Sequence, residues 1–491
     1  MTAAGGPGGG PSGGTAASVP GGGAGVSAGL RRDRPPPPGP VRPFRFPPYE
    51  RHRLANGLTV VAARSRRAPL VALALVVPAG AAHDPPGGGG TAALTAALLD
   101  EGTDGATALE IADRVADLGG GLATGASRDV AYLELEVLRD QAGDALDLVS
   151  ELATRPTFPA DELERQRRRH LAELLRRRTD PGRLADEHLA RAIYGDGPYG
   201  RPLLGDEPTL AALGRDDVER FHERFYGLAG SFLIAAGDLE PAELFAAAER
   251  ALGGLGGGDA PALPDVDAPR PDGVRVVVVD RPHAAQTELR LGHAGVPRNH
   301  PDFLTLAAVN GILGGKFTSR INLNLRERHG YTYGASSRFA GRLGPGPFVV
   351  RTAVATPVAG AAAREVVGEL ERIREAEVDR EELDDAKSYL IGTFPYTLQT
   401  VSGVADRLET IAIHGLPADY YEVFPQAVAA IDRAAILAAA RRHLRPAELA
   451  IVAVGPAAEL EPQLRDLGEV RVETPGELTP PTPAAALGPE G

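Results

Sequence analysis

His170 and Glu173 stand three residues apart in HLAEL. On a helix that spacing puts an imidazole and a carboxylate on one face, where both could reach a single metal ion. A catalytic zinc normally takes three protein ligands, most simply through a pair of imidazoles one helical turn apart. None of the eleven histidines forms a His-x-x-x-His pair. The pair therefore reads first as an exposed basic helix bearing a histidine, with Glu173 held by nearby arginines such as Arg169 or Arg177. Other nucleophile and phosphate patterns fail. There is no cysteine and hence no thiolate chemistry. Gly10-Pro11-Ser12-Gly13-Gly14 fits Gly-x-Ser-x-Gly, but it lies in low-complexity sequence with no strand before it. Lys316 in LGGKFTS resembles a phosphate loop, but Asn310 stands where the first glycine should be and Phe317 where a hydroxyl should follow. The basic run Arg165–His170 reads as a solvated helix face.

The elements that must position these groups belong to a chain of 491 residues, long enough for two to three domains. Its net charge of −13 argues against a nucleic-acid binder. Neither a signal peptide nor a run of membrane-spanning length is found, so a cytoplasmic protein with no membrane partner is expected. Lysine occurs only at Lys316 and Lys387, against many arginines, a bias typical of GC-rich bacterial coding sequence. Residues 1–45 are rich in glycine and proline and read as a disordered head. Order is expected from about Tyr49. Strands are predicted over 58–64, 70–78, 132–138 and 231–236, and helices over 91–99, 107–118, 140–154, 160–178, 216–225 and 241–252. Thr107 and Glu110 form a capping box. Residues 255–272 read as a linker. The order then restarts, with strands at 274–280, 286–291, 348–356 and 450–454 and helices at 301–313, 361–376, 380–390, 433–443 and 457–467. LIAAG ending at Gly237 recurs as IVAVG ending at Gly455, and Leu58 recurs as Val274 at nearly the same offset. This predicts a duplicated α+β domain, over 46–254 and 273–470, each with a mixed, mostly antiparallel sheet packed with helices, and a disordered tail over 471–491.

Five segments in this order resemble the insulinase/pitrilysin-type zinc metallopeptidases, in the two-domain branch near the mitochondrial processing peptidases. They are ANGLTVV at 55–61, the frame at 90–103, ADLGGGLATGASRDVAYLELEVL at 116–138, YGDGPYGRPLLGDEPTLAAL at 194–213 and LGGKFTSRINLNLRERHGYTYGASS at 313–337. The resemblance implies half of a clamshell chamber. It places the His-x-x-Glu-His motif on Ala93, Leu94, Thr95, Ala96 and Ala97, so both histidine ligands and the base are methyl groups. The third ligand falls on Glu173, a further family glutamate on Gln166, and the family Asn-Ala on Ala123-Thr124. Arg326 and Tyr333 match the family's Arg/Tyr pair, which helps hold the scissile carbonyl as it becomes an oxyanion. Guanidinium is always charged and phenol gives one directed hydrogen bond, so both suit that task.

The reading that follows is a zinc-less subunit with no metal of its own. A paralogous zinc-containing peptidase subunit would supply zinc and base, and this chain would supply Arg326 and Tyr333 in trans to a peptide or unfolded-protein substrate. Whether the chain counts as an enzyme by itself stays open. The alternative is a peptide-binding or structural scaffold of the same fold. A third reading is a self-sufficient peptidase with rearranged ligands.

Overall fold

A computed structural model describes residues 44–475, apart from 258 and 267. The glycine-proline head up to residue 43, with its Gly-x-Ser-x-Gly match, and the tail from residue 476 lie outside the described residues.

The first half runs β1 (Tyr49–Arg53), β2 (Thr59–Arg64), β3 (Leu70–Val77), α1 (Thr91–Ala97), α2 (Ala108–Asp117), β4 (Gly121–Ala126) and β5 (Ala131–Leu138). It continues with α3 (Ala142–Thr154), α4 (Ala160–Thr179), α5 (Pro181–Tyr194), α6 (Glu207–Ala212), α7 (Arg215–Phe225), β6 (Phe232–Gly237) and α8 (Pro241–Leu252). The second half runs β7 (Arg275–Asp280), β8 (Thr287–Ala294), α9 (Phe303–Leu313), α10 (Arg320–Asn322), β9 (Ala335–Phe339) and β10 (Pro347–Val354). It closes with α11 (Ala359–Glu375), α12 (Arg380–Thr393), α13 (Val401–Ile413), α14 (Tyr420–Ala430), α15 (Arg433–His443), β11 (Ala450–Gly455), α16 (Ala457–Leu464) and β12 (Glu469–Glu473).

Each half builds one six-stranded sheet, in the orders β1-β2-β6-β3-β5-β4 and β12-β7-β11-β8-β10-β9. Five strands correspond one to one: β2 with β7, β6 with β11, β3 with β8, β5 with β10 and β4 with β9. In both sheets the first pair is parallel and the others antiparallel. The sixth strand breaks the symmetry. β1 joins β2 antiparallel from the chain's start, whereas β12 joins β7 parallel from its end. The duplicated α+β fold is thus present.

One face of each sheet is covered by its own half. Leu73, Leu75, Leu133 and Ala235 pack with Leu94, Leu148 and Leu252, and Leu289, Leu291 and Ile451 pack with Leu306, Val366 and Leu460. The opposite faces are covered by exchange. α13 crosses to the first sheet, where Val404, Leu408 and Ile411 meet Ala72, Ala74 and Ile234. In return α5 crosses to the second, where Leu189 and Ile193 meet Val349, Val452 and Val454. Arg290 on β8 secures this crossing, with Nε 2.7 Å from Asp186 and Nη2 donating to the Gly182 carbonyl at 3.1 Å.

Several boundaries shift. Packed residues precede Tyr49, since the Phe44 ring lies 5.0 Å from Phe394 and Phe46 lies 5.3 Å from Tyr421. β12 carries ordered backbone to Glu473, past the predicted end at 470. Within the predicted linker Val266 is buried against Tyr199. The capping box at α2 forms as expected, Thr107 N–H donating to Glu110 at 2.8 Å.

The exchange sets α13 over a sheet strand that also carries acid. Glu409 is pushed up to about 7, first by burial and then by the charges of Glu134 and Asp406. Between the ordinary carboxylate range and about pH 7 the folded state therefore holds a proton that the unfolded chain has released, so this group's contribution falls as pH rises through that window. Glu409→Gln is expected to be more stable than the parent at pH 8, on the order of 2 kcal/mol, with little difference near pH 4. Urea unfolding at the two pH values measures it.

Candidate functional site

The seven residues of α1 start from Gly90, whose φ of +91° and whose closeness to the Leu204 carbonyl leave no room for a Cβ. Asp84 accepts from Gly90 N–H at 2.8 Å and Ala92 N–H at 2.7 Å, satisfying donors that the helix start leaves free. Its burial pushes the carboxyl up to about 6. This fixes where α1 sits against α4 and β4.

A cavity of about 360 Å³ opens between these three elements. Ala93 and Ala97, one turn apart, line it from α1. Gln166, His170, Glu173 and Arg177 line it from α4, a stripe at helical spacing. Thr124, Gly125 and Ala126 line it from β4, and Tyr132 from β5. The structure thus brings together three of the four positions singled out in this half. Ala96, the fourth, is fully buried in the core of the first half and does not line the cavity.

Its electrostatics are dominated by arginine. Glu173 accepts from Arg177 Nε at 3.0 Å and Arg183 Nη1 at 2.9 Å, and pairs with Arg176 as well. Arg177 is one of the partners expected from the sequence. Arg176, three residues on along α4, and Arg183, brought by the turn into α5, are added, and Arg169 is not among them. His170 is held neutral, pushed down to about 4 by burial and then by Arg169 and Arg177. Its Nδ1 is buried without a partner. Gln166 Nε2 and Arg165 both bind Glu101, and Thr124 Oγ1 donates to Asp100 at 3.2 Å. As donors to a metal the cavity offers one imidazole, His170, and the carboxylates of Asp100, Glu101 and Glu173. Glu101 is held by Gln166 and Arg165, Glu173 is shared among three guanidinium groups, and no three of these donors converge on one point.

Among the described residues β4 is an edge strand, paired with β5 alone, and it is half exposed beside this cavity. A free edge of this kind can accept an extended peptide as an added strand.

Arg326 and Tyr333 sit elsewhere. After α10 the backbone widens into a π-turn over Leu323–Arg328, a local distortion often found at functional sites. Asn324 anchors it, its Nδ2 donating to Glu365 at 2.9 Å and Glu369 at 2.7 Å. Arg326 stands over the Phe317 ring at 4.4 Å and lies 3.4 Å from Glu327. Tyr333, at the tip of the following loop, is 92% exposed, and among the described residues its hydroxyl has no hydrogen-bond partner. Neither side chain lines the cavity with Ala93, Ala97 and Glu173. The discarded Lys316 is paired with Asp385. One trio of metal-type side chains, His300, Asp302 and His443, converges among the described residues. There Asp302 Oδ2 is already 2.7 Å from both Arg442 and His443, and His300 Nδ1 accepts the Asp302 N–H at 3.0 Å, so the trio satisfies itself as a clasp.

Sequence comparison agrees with the duplicated sheets. Residues 59–207 match the family described as insulinase (peptidase family M16), and residues 212–390 match the one described as peptidase M16 inactive domain. The chain belongs to this insulinase family of peptidases. An uncharacterized zinc protease of Rickettsia bellii is 25% identical over 341 residues, 69% of this chain and 81% of that one. One from Mycobacterium tuberculosis is 30% identical over 243 residues, 49% and 55% of the two chains. A crystal structure of a peptidase M16 inactive domain from Pseudomonas fluorescens superposes with a TM-score of 0.78 at 29% identity, covering 83% of this chain and 98% of that one. A protease from Helicobacter pylori has the same fold, with a TM-score of 0.78 at 20% identity over 84% and 100% of the two chains. Among the described residues no single helix is long and apolar enough to cross a membrane.

Proposed function

We propose that this chain is a zinc-less subunit of a two-chain metallopeptidase, giving substrate-binding surface and transition-state donors to a partner that carries the metal. The observation that carries the reading is the cavity in which Ala93 and Ala97 face Glu173. Those are the positions where the family resemblance puts metal ligands, and two of the three side chains are methyl groups. The third is neutralised by Arg176, Arg177 and Arg183, which also disfavour a cation beside it. One imidazole, with carboxylates that are already committed and do not converge with it on one point, does not fit a catalytic zinc. No step is therefore assigned to a metal in this chain.

Tyr333 supports the other side of the reading. The Tyr333 phenol is exposed at a loop tip and the Arg326 guanidinium is parked on the Phe317 ring, so both keep hydrogen-bonding capacity to spend. In a paired assembly both donors would meet a peptide held against the partner's metal, where an oxyanion develops. The substrate class is an extended peptide or unfolded segment, added to a sheet edge such as β4.

The test is metal analysis and peptide hydrolysis on the purified chain, alone and mixed with a paralogous subunit that retains His-x-x-Glu-His. Alone it is expected to carry no stoichiometric zinc and to cleave nothing; the mixture is expected to cleave. If zinc is found in the single chain, His443→Ala tells the clasp near Asp302 from the α1 cavity, and zinc retained in that variant overturns the reading.

A further inference from the structure

A second cavity, of about 230 Å³, lies where α5 crosses onto the sheet of the other half. Six guanidinium groups line it. Arg128, Arg177 and Arg183 come from the first half, and Arg338, Arg342 and Arg351 from β9, the loop after it and β10. Against them stand only two lining carboxylates, Asp186 and Glu187, both on α5. In a chain with a net charge of −13, so dense a positive cluster is built against the average.

The carboxylates are already committed. Asp186 lies 3.1 Å from Arg351 and 2.7 Å from Arg290, and Glu187 is 3.8 Å from Arg177. Arg183 turns to Glu173 and Asp180. Among the described residues Arg128, Arg338 and Arg342 have no carboxylate within ion-pair distance. Arg128 spends one nitrogen on the Arg201 carbonyl, and Arg342 lies over the Tyr199 ring at 4.7 Å. Arg342 Nη1 and Arg351 Nε are buried without any hydrogen-bond partner. Burial and the neighbouring Arg342 pull Arg128 down to about 10, and burial followed by Arg351 lowers Arg338. Like charges gathered away from water, with donors unspent, are costly unless something of opposite sign completes them.

We infer that this interdomain cavity is an anion site for a small oxyanion carrying two negative charges, of the phosphate or dicarboxylate class. Guanidinium forks match paired oxygens bidentately, and the site draws three from each half, so a bound dianion ties the two halves together. Leu189, Ile193 and Val349 form its apolar wall, which leaves room for a short carbon chain between two carboxylates.

The probes are inorganic phosphate and succinate, titrated into the full-length chain by calorimetry, with sodium chloride at matched ionic strength as reference. At least one is expected to bind with a Kd below about 1 mM and to raise the thermal midpoint by about 2 °C or more at saturation. Phosphate binding alone points to an inorganic or phosphoryl ligand, and succinate binding to a dicarboxylate. The variant Arg338→Gln/Arg342→Gln is expected to weaken the affinity at least about tenfold. Arg364→Gln, which removes an exposed guanidinium paired with Asp466, is expected to change nothing. Neither anion binding beyond the chloride reference overturns the assignment on the parent protein alone. So does binding that survives unchanged in the double variant.

Discussion

In the assembled two-chain complex, Arg326→Ala is expected to lower kcat by about 10²–10³-fold, and Tyr333→Phe by a similar or smaller factor, with the two chains still co-eluting. The size follows from what the donors would do. A directed hydrogen bond or a fixed positive charge aimed at a developing oxyanion acts only in the transition state, so its loss falls on kcat and kcat/KM together, with KM little moved. Two donors serving one oxygen act as a unit, so the double variant is expected to lose less than the product of the single losses. The folded state should barely register either change. Tyr333 makes no hydrogen bond among the described residues, and Arg326 gives up its stacking on Phe317, worth about 0.5–1 kcal/mol at an exposed site, and a surface ion pair with Glu327 that contributes little. That separation makes the experiment decisive. An unchanged thermal midpoint with a large fall in kcat supports donation in trans, whereas full activity in the double variant removes it and leaves the scaffold reading standing.

The halves of the fold that repeat were legible because their strands are dense in Val, Leu and Ala and keep one spacing. LIAAG and IVAVG are the central β6 and β11, buried on both faces, and such runs announce themselves. What escaped notice was short or polar. β1 and β12 are five-residue edge strands without a buried residue, β4 is broken by glycine, and β9 is ASSRF. Two long helices were also missed. α5 carries a readable start, Asp180 capping with Pro181 at the first helical position, and α13 has Thr400 accepting from Gly403 N–H at 3.0 Å. Even had both been found, local pattern could not say that each packs on the other half's sheet. The candidate cavity divides the same way. The pairing of Ala93 with Ala97 is local helical spacing, but Glu173 reaches them only through the placement of α4. The arginine cavity was invisible for a stronger reason, since its six residues run from Arg128 to Arg351 and only the exchange of α5 gathers them.

Placing imidazoles on α1 offers the most direct test of the cavity beside it. Ala93→His with Ala97→His is expected to turn a chain without stoichiometric zinc into one that takes up about one zinc, because the two positions lie one turn apart on the wall facing Glu173. Affinity should fall short of a natural site. Glu173 must first leave Arg176, Arg177 and Arg183, so adding Arg176→Ala and Arg183→Ala is expected to tighten zinc at least about tenfold, and Glu173→Gln to abolish uptake. Hydrolysis is not expected to return with the metal. Ala96, at the position of the family base, is fully buried in the apolar core, and a carboxylate there would be desolvated with no partner. Ala96→Glu is therefore expected to destabilise the graft by several kcal/mol before it can serve as a base, unless α1 turns to bring that position to the cavity. A zinc-loaded but inactive graft thus separates the two proposed ligand positions, which line the cavity, from the proposed base position, which lies in the core. If the graft takes up no metal at all, Ala93 and Ala97 do not stand where a metal was once held, and the zinc-less subunit loses its structural basis.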